Sequence, residues 1–424
     1  MVEVVRAVEA NSQVQPRDFV VAMLGARMHY AVPRILEAAG RLMHMFTDLC
    51  LLKGAPRALN VFPRKLLPSA GRRMVERVPR GVPPEMITAF TGFGLRYAFR
   101  IAQAGSAGEL TRAFLWGGQE FCRLVLRSWP PQARALFAYN SAALELLQHA
   151  RQNGLHGILE QSIAPKRLER RLLAEEAAAH PGWEETVNSG GAGEEYAARE
   201  EAEWQEADLI LCGSEFVKDG IRACGGPVDR VAVVPYGVDT SPNLRERRET
   251  GGPLRVLTVG AVGLRKGSPY VLEAARLLGR QVEFRMVGPL GVSDQVRSLL
   301  SRHIEVVGSV PRSRISEHYR WADVFLLPSL CEGSATATYE ALSWGLPVVC
   351  TPNTGSVVRD GVDGFVVPIR DARAIAARID KLARSRDLLA EMANNARERA
   401  RDFSLAWYGQ RLLAALDDAL RAGT

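Results

Sequence analysis

The sequence predicts an α/β protein made of two doubly wound domains that face each other across a cleft. Three observations point there. Short apolar runs such as V-F-L-L at Val324–Leu327 are bounded by Pro or Gly and alternate with helical segments, the signature of β-α-β units in parallel sheets. That alternation runs twice, before and after the polar stretch T-S-P-N-L-R-E-R-R-E-T-G-G-P at 240–253, which has the composition of a linker. A length of 424 residues suits two domains, each with its own core. The expected units are residues 1–240, a linker at 241–253, residues 254–402, and a helical segment at 403–424 packing back toward the first unit.

The composition is that of a soluble globular chain, with 47% apolar and 24% charged residues. A net charge of +7 favours anionic partners. The six cysteines are scattered without a C-x-x-C pair or metal spacing, which fits buried thiols in a reducing cytoplasm. The amino terminus lacks the apolar core of a signal peptide. No uncharged apolar run reaches the ~18 residues of a spanning helix.

Taken in order, residues 1–16 read as a loosely held leader, 18–24 as a strand closed by Gly25, and 31–46 as a helix with Pro33 in its first turn. The turn Gly25-Ala26-Arg27-Met28-His29-Tyr30 opens on the cleft. Arg27 and His29 there suit an anion or acid–base chemistry; the plainer reading is a surface loop. From Lys53 to Arg100, ten Lys and Arg residues face only Glu76 and Glu85. This is either a basic amphipathic surface for anionic lipid or an anionic acceptor, or a solvated helical face. No zinc-finger or RNP-like pattern accompanies the charge, so nucleic acid is not an expected partner. Strands follow at 133–139 and 157–160, with a helix at 141–152 between them, and Glu160-Gln161-Ser162 again ends a strand. A charged helical stretch at 166–204 is broken at 180–182 and at the glycine-rich 189–191, read as a mobile loop. A strand at 207–214, a helix at 215–224 and a strand at 231–234 complete the first half.

The second half reads as strands at 254–259, 282–287, 304–307, 324–327, 347–350 and 364–367. Helices are expected at 269–278, 314–321, 371–384 and 386–401, with a short one after Thr336 and a last one from 405. Two loops carry the chemistry, each at the carboxyl end of a strand and the amino end of a helix, where open α/β sheets bind ligands and free N–H groups attract phosphate. The first, Gly260 to Gly267, departs from G-x-G-x-x-G, and the next strand ends in Met286-Val287-Gly288 without an acid, which argues against a nicotinamide dinucleotide. It does present Arg265 and Lys266, two cations suited to a diphosphate. The second, Glu332-Gly333-Ser334-Ala335-Thr336, offers backbone N–H groups to the same leaving group. No Asp-x-Asp occurs, so neither a metal nor another cofactor is expected at the donor site. A carboxylate accepts two hydroxyls at once, so Glu340 suits a ribose diol and Glu332 the hydroxyls of the transferred group. The plainer alternative makes both surface or helix-start glutamates.

Further motifs sharpen this. A-D-L-I-L-C-G-S with P-Y-G-V-D, V-G-x5-K-G at 259–267, V-G-S-V-P at 307–311 and A-D-V-F-L-L-P-S-x2-E-G-x6-E at 322–340 are followed by G-L-P-V-V-C-T and D-G-V-D-G-F-V-V-P. Over about residues 207–370 the chain resembles the family 4 retaining glycosyltransferases (glycosyl transferases group 1) of the GT-B fold. The resemblance implies two Rossmann-like domains, a nucleotide-diphosphate sugar donor in the second and an acceptor in the first. It also implies transfer of a hexosyl group with retention and without a metal. Val310 and its neighbours would meet the base, Lys266 the phosphates, Glu340 the ribose and Glu332 the sugar, with Gly260 and Arg265 beside them. Glu332 and Lys266 are the candidate catalytic residues. Gly25, Arg27, His29 and Glu160 are the acceptor-side candidates. The acceptor is a glycan, a lipid-linked molecule or a small molecule, and the expected location is cytoplasmic, with peripheral contact at the inner face of the membrane. Ala261 stands where the family often has Arg, the first turn lacks the usual Gly-Gly pair, and the family's first-domain histidine has no clear match, with His156, Glu160 and Gln161 near its place. These departures motivate an alternative, a non-catalytic nucleotide-sugar-binding partner of a polysaccharide assembly system.

Overall fold

The computed structural model describes residues 17–54, 77–184, 190–239 and 252–422. The expected leader, nearly all of the expected linker, and Arg57, Arg64, Lys65, Arg72, Arg73 and Glu76 of the basic stretch lie outside these residues.

The first half contains β1 (Phe19–Met23), α1 (Ala31–Ala38), β2 (Leu42–Thr47), β3 (Ile87–Ala89), α2 (Thr91–Gln103), α3 (Ala107–Arg127), β4 (Ala135–Tyr139), α4 (Leu144–Gln152), β5 (His156–Gln161), α5 (Lys166–Ala179), α6 (Gly190–Glu206), β6 (Leu209–Cys212), α7 (Glu215–Ala223) and β7 (Val231–Val233). Its strands form one parallel sheet in the order β3-β2-β1-β4-β5-β6-β7. Successive side chains of a strand point to opposite faces, and β1 shows the result. Phe19, Val21 and Met23 enter one apolar cluster while Val20 and Ala22 enter the other. Both faces are covered by helices, which is why the strands read as continuous apolar runs.

The second half repeats the plan with β8 (Leu254–Val259), α8 (Ser268–Leu278), β9 (Val282–Val287), α9 (Asp294–Leu300), β10 (Glu305–Gly308), α10 (Arg312–Trp321), β11 (Val324–Leu327), α11 (Thr336–Ser343), β12 (Val348–Cys350), β13 (Gly364–Val366), α12 (Ala372–Arg384), α13 (Arg386–Asp402) and α14 (Leu405–Ala422). The sheet is parallel in the order β10-β9-β8-β11-β12-β13. In each sheet the order reverses beside the first strand, between β1 and β4 and between β8 and β11. Ligand crevices open at such reversals, outside the carboxyl ends of the strands.

Three expectations are corrected. The helix read over 31–46 stops at Ala38: Gly40 takes φ +71, a left-handed conformation suited to ending a helix, and Leu42–Thr47 becomes a strand beside β1. The described part of the basic stretch, residues 53–54 and 77–100, is not one helical face: it supplies β3 and most of α2. Gly190 and Gly191, read as a mobile loop, open α6.

Two elements cross between the halves. The last helix, α14, packs on α1 and sends Tyr408, Leu412 and Leu416 into the first-half core. There Arg41 pairs with Asp18 at 2.8 Å and with Asp417 at 2.5 Å. In the opposite direction, α5 and the segment after it lean on the second half, where Leu173, Ala177 and Trp183 join the core. Fully buried Glu176 accepts from Tyr270 Oη at 2.5 Å and Arg370 Nε at 2.8 Å.

Candidate active site

At the carboxyl ends of β8 and β11 lies a cavity of about 950 Å³, at the upper end of the size of small-molecule sites. Gly260, Lys266, Val310, Glu332, Ser334, Ala335, Thr336 and Glu340 line it, with Arg312 and Ile315 from α10. The turn after β8 brings Lys266 to Glu332, Nζ to Oε1, at 2.6 Å. Burial pulls the Lys266 ammonium below its usual value, against the opposing pull of Glu332. Glu332 also takes Arg265 Nη1 at 2.6 Å, and the same nitrogen donates to the Cys331 carbonyl at 3.0 Å. Arg265 therefore turns onto the acid loop and does not line the cavity; at the cavity wall the second cation is Arg312.

The acid loop ends in α11, whose N-cap residue Ala335 gives no side-chain cap. The first amides of a helix lack partners within it, and Thr336 and Ala337, which carry them, line the cavity; the expected Ala335 N–H is instead taken by the Thr354 carbonyl at 3.2 Å. Glu340 lies one turn further along, held by Tyr319 Oη at 2.9 Å and Arg312 Nη2 at 3.0 Å. Burial and the adjacent Glu340 keep the Tyr319 hydroxyl well above its ordinary value, so it donates.

At Gly333 the two halves touch again. Its carbonyl accepts from Ser214 Oγ at 2.5 Å, and a β-carbon placed on it would overlap the carbonyl oxygen of Ser162. Ser162 follows β5, and its hydroxyl receives Arg27 Nη1 at 2.8 Å while donating to Asn140 Oδ1 at 2.9 Å. A second cavity of about 310 Å³ opens beside Arg27 in the first half, lined also by Gly25, Asp48, Arg77, Tyr139 and Asn140. The Asp48 carboxylate is pinned by Gly25 N–H at 3.1 Å and by Arg77 at 2.9 Å.

Of the acceptor-side candidates, Gly25 and Arg27 thus share this cavity. His29 and Glu160 line neither cavity. His29 sits in an unusual run of left-handed residues, Met28, His29 and Tyr30 at φ 44, 52 and 61. Glu160 is buried and accepts from Tyr236 Oη at 2.8 Å. Burial pushes its carboxyl up to about 7, against the hydrogen bond from Tyr236 and the charge of Arg27. Sequence reasoning missed Asp48 because the end of β2 was read as helix. It missed Arg312 and Tyr319 because nothing in the spacing showed that α10 faces Glu340.

A model of the family glycosyl transferases group 1 matches residues 240–399, the span that carries the lysine turn and both glutamates. Residues 240–399 are thus similar to the group 1 glycosyl transferases. The chain is similar to the putative colanic acid biosynthesis glycosyltransferase WcaL of Salmonella typhimurium, 32% identical over 232 residues, covering 50% of this chain and 57% of that protein. It is also similar to the amylovoran biosynthesis glycosyltransferase AmsK of Erwinia amylovora, 30% identical over 193 residues, covering 42% and 47%. The chain spans about half the length of these curated relatives. Among solved structures, sucrose-phosphate synthase of Thermosynechococcus elongatus superimposes with a TM-score of 0.68 at 16% identity, covering 96% of this chain and all of that one. HepE of Anabaena in complex with UDP gives a TM-score of 0.59 at 16% identity, covering 95% and 100%. The fold is GT-B: two Rossmann-like domains.

Proposed function

We propose that the chain is a retaining glycosyltransferase that moves a hexosyl group from a nucleotide-diphosphate sugar to a glycan, lipid-linked or small-molecule acceptor. One observation carries the reading: Lys266, Glu332, Glu340, Val310 and the open amides of α11 converge on a single cavity at the reversal point of the second sheet. In this reading the diphosphate lies between Lys266 and the start of α11, where a buried cation and fixed dipoles stabilise the leaving charge without a metal. Arg312 takes the place of a cation at Ala261. Glu340 holds the ribose diol, Val310 and Ile315 flank the base, and Glu332 leaves its cations for the hydroxyls of the sugar. The acceptor enters from the first half, where Arg27 and the Asp48 cavity lie across Ser162 from the acid loop. Incubation with a panel of UDP-, GDP- and ADP-sugars, with cell-extracted acceptors, is expected to release a nucleoside diphosphate. Donor binding without turnover on any acceptor would instead favour a non-catalytic binding partner.

Glu340→Ala is expected to weaken nucleotide binding by about 10- to 100-fold, the loss of a charge-assisted contact to a diol. Calorimetric titration checks it, and unaltered affinity would remove Glu340 from the ribose site.

The reading places the protein in the cytoplasm with peripheral contact at the inner face of the membrane. The outer side of α2 supports it, with Leu95 and Phe99 54% and 62% exposed beside exposed Arg96 and Arg100. Co-sedimentation with vesicles rich in anionic lipid is expected, and Arg96→Glu with Arg100→Glu should abolish most of it. Sedimentation indifferent to those two charges would contradict the contact. Among the described residues no helix is long and apolar enough to cross a membrane.

A further inference from the structure

Glu184 belongs by chain order to the first half, between β5 and β6, yet it lies against the lysine turn of the second. Its Oε1 accepts the Leu264 N–H at 2.5 Å, two residues before Lys266. Leu264 is fully buried, so its amide depends on a protein partner. The rest of the turn is held from within the second half. Gly263 N–H donates to Ser268 Oγ at 2.9 Å, Gly267 N–H to the Leu264 carbonyl at 2.9 Å, and Leu330 N–H to the Arg265 carbonyl at 2.9 Å. Glu184 is the contribution from outside.

Its own position is well determined. Trp183 is buried in the second core, its carbonyl accepts from Ser293 N–H at 2.9 Å, and the Gly182 carbonyl accepts from Ser293 Oγ at 2.8 Å. One turn back, His180 stands edge-on to Tyr270. The carboxylate fits only because Gly263 has no side chain: a β-carbon there would overlap Glu184 Oε1. The other end of α5 meets the acid loop, where Leu168 and Leu172 pack with Cys331, the residue before Glu332. The start of α5 is tied to the first half, Lys166 N–H donating to Glu200 Oε2 at 2.7 Å.

We infer that Glu184 is a positioning residue for the donor site: it fixes the turn so that Lys266 projects into the cavity, and the site of the second domain is completed by a residue of the first half. The inference rests on the reading that this cavity takes the donor diphosphate. The test uses the full chain as Glu184→Ala, Glu184→Gln and Gly263→Ala. Titration with UDP, GDP and ADP reads affinity, and amide hydrogen exchange reads the mobility of residues 260–267. Glu184→Ala is expected to weaken the nucleoside diphosphate that the unaltered protein binds by about 10-fold, and to speed exchange in the turn. Glu184→Gln retains an accepting oxygen and should stay within about threefold. Gly263→Ala should reproduce the loss, and the double variant with Glu184→Ala should add little, because both remove one contact. Should Glu184→Ala not fold, Gly263→Ala decides on the same two readouts. Affinity and exchange equal to the unaltered protein overturn the positioning role and leave the donor site standing. An unaltered protein that binds no nucleoside diphosphate overturns both.

Discussion

Lys266→Met is expected to lower kcat about 100- to 1,000-fold, the scale of losing one preorganised group that stabilises developing charge, while leaving thermal unfolding nearly unchanged. Methionine keeps most of the stem that fills the space beside Gly260. Glu332 retains Arg265 at 2.6 Å, so no buried carboxylate is stranded without a partner. The effect is large because the Lys266 side chain is only 11% exposed, and a charge in a water-poor site acts more strongly than one in water. Burial also lowers the pKa of this lysine. The protonated, active form is therefore lost, as pH rises, at a lower pH than an ordinary lysine would lose it. The kcat/KM profile of the free enzyme should show that limb, and Lys266→Arg, always protonated, should erase it. Steady-state kinetics with the donor varied up to saturation, repeated across pH, measures both effects. A Lys266→Met enzyme with unchanged kcat would take the ammonium out of the chemistry.

Gly333→Ala is expected to lower kcat/KM by about 100-fold, the scale set by misplacing reacting groups by an ångström. The added methyl meets the Ser162 carbonyl and the backbone of Ile163, and backbone yields less readily than the end of a side chain. Relief requires the acid loop to move away from the first half. That movement would carry Glu332 off its place and break the Ser214 hydrogen bond to the Gly333 carbonyl. Overpacking of this kind costs about 1–3 kcal/mol, so the fold should survive with a lower Tm. Kinetics alongside circular dichroism separates the two effects, and small-angle scattering should show the variant more open with nucleotide present. Wild-type kcat/KM in this variant would mean that the contact between Gly333 and Ser162 is not made during turnover.

Much of this site is legible in the sequence for a physical reason. Strands covered on both faces must be apolar throughout, so V-F-L-L at β11 and L-R-V-L-T-V at β8 stand out between Gly and Pro. The loops that follow them inherit a known place at the carboxyl edge of the sheet. Lys266, Glu332 and Glu340 are therefore legible as one group in the sequence alone. Leu42–Thr47 was harder: L-M-H-M-F continues the apolar count of the preceding helix, and only the left-handed Gly40 separates them. With β2 hidden, Asp48 and its cavity were hidden too. In the basic stretch, charge masked the short β3 and the buried Phe93 side of α2. Arg265 illustrates a different limit, since adjacency to Lys266 says nothing about which way a side chain turns, and its nearest strong partner is Glu332. The docking of α5 and Glu184 on the other half leaves no mark in periodicity, because an apolar stripe does not say which core receives it.

The most direct measurement is a crystal structure with an intact nucleotide-diphosphate sugar. The expected result is a diphosphate at hydrogen-bond distance, about 3 Å, from Lys266 Nζ and the first amides of α11, with ribose on Glu340, base beside Val310 and sugar hydroxyls on Glu332. A donor bound elsewhere, or a bound diphosphate that leaves Lys266 on Glu332 and Glu340 on Arg312, would contradict it.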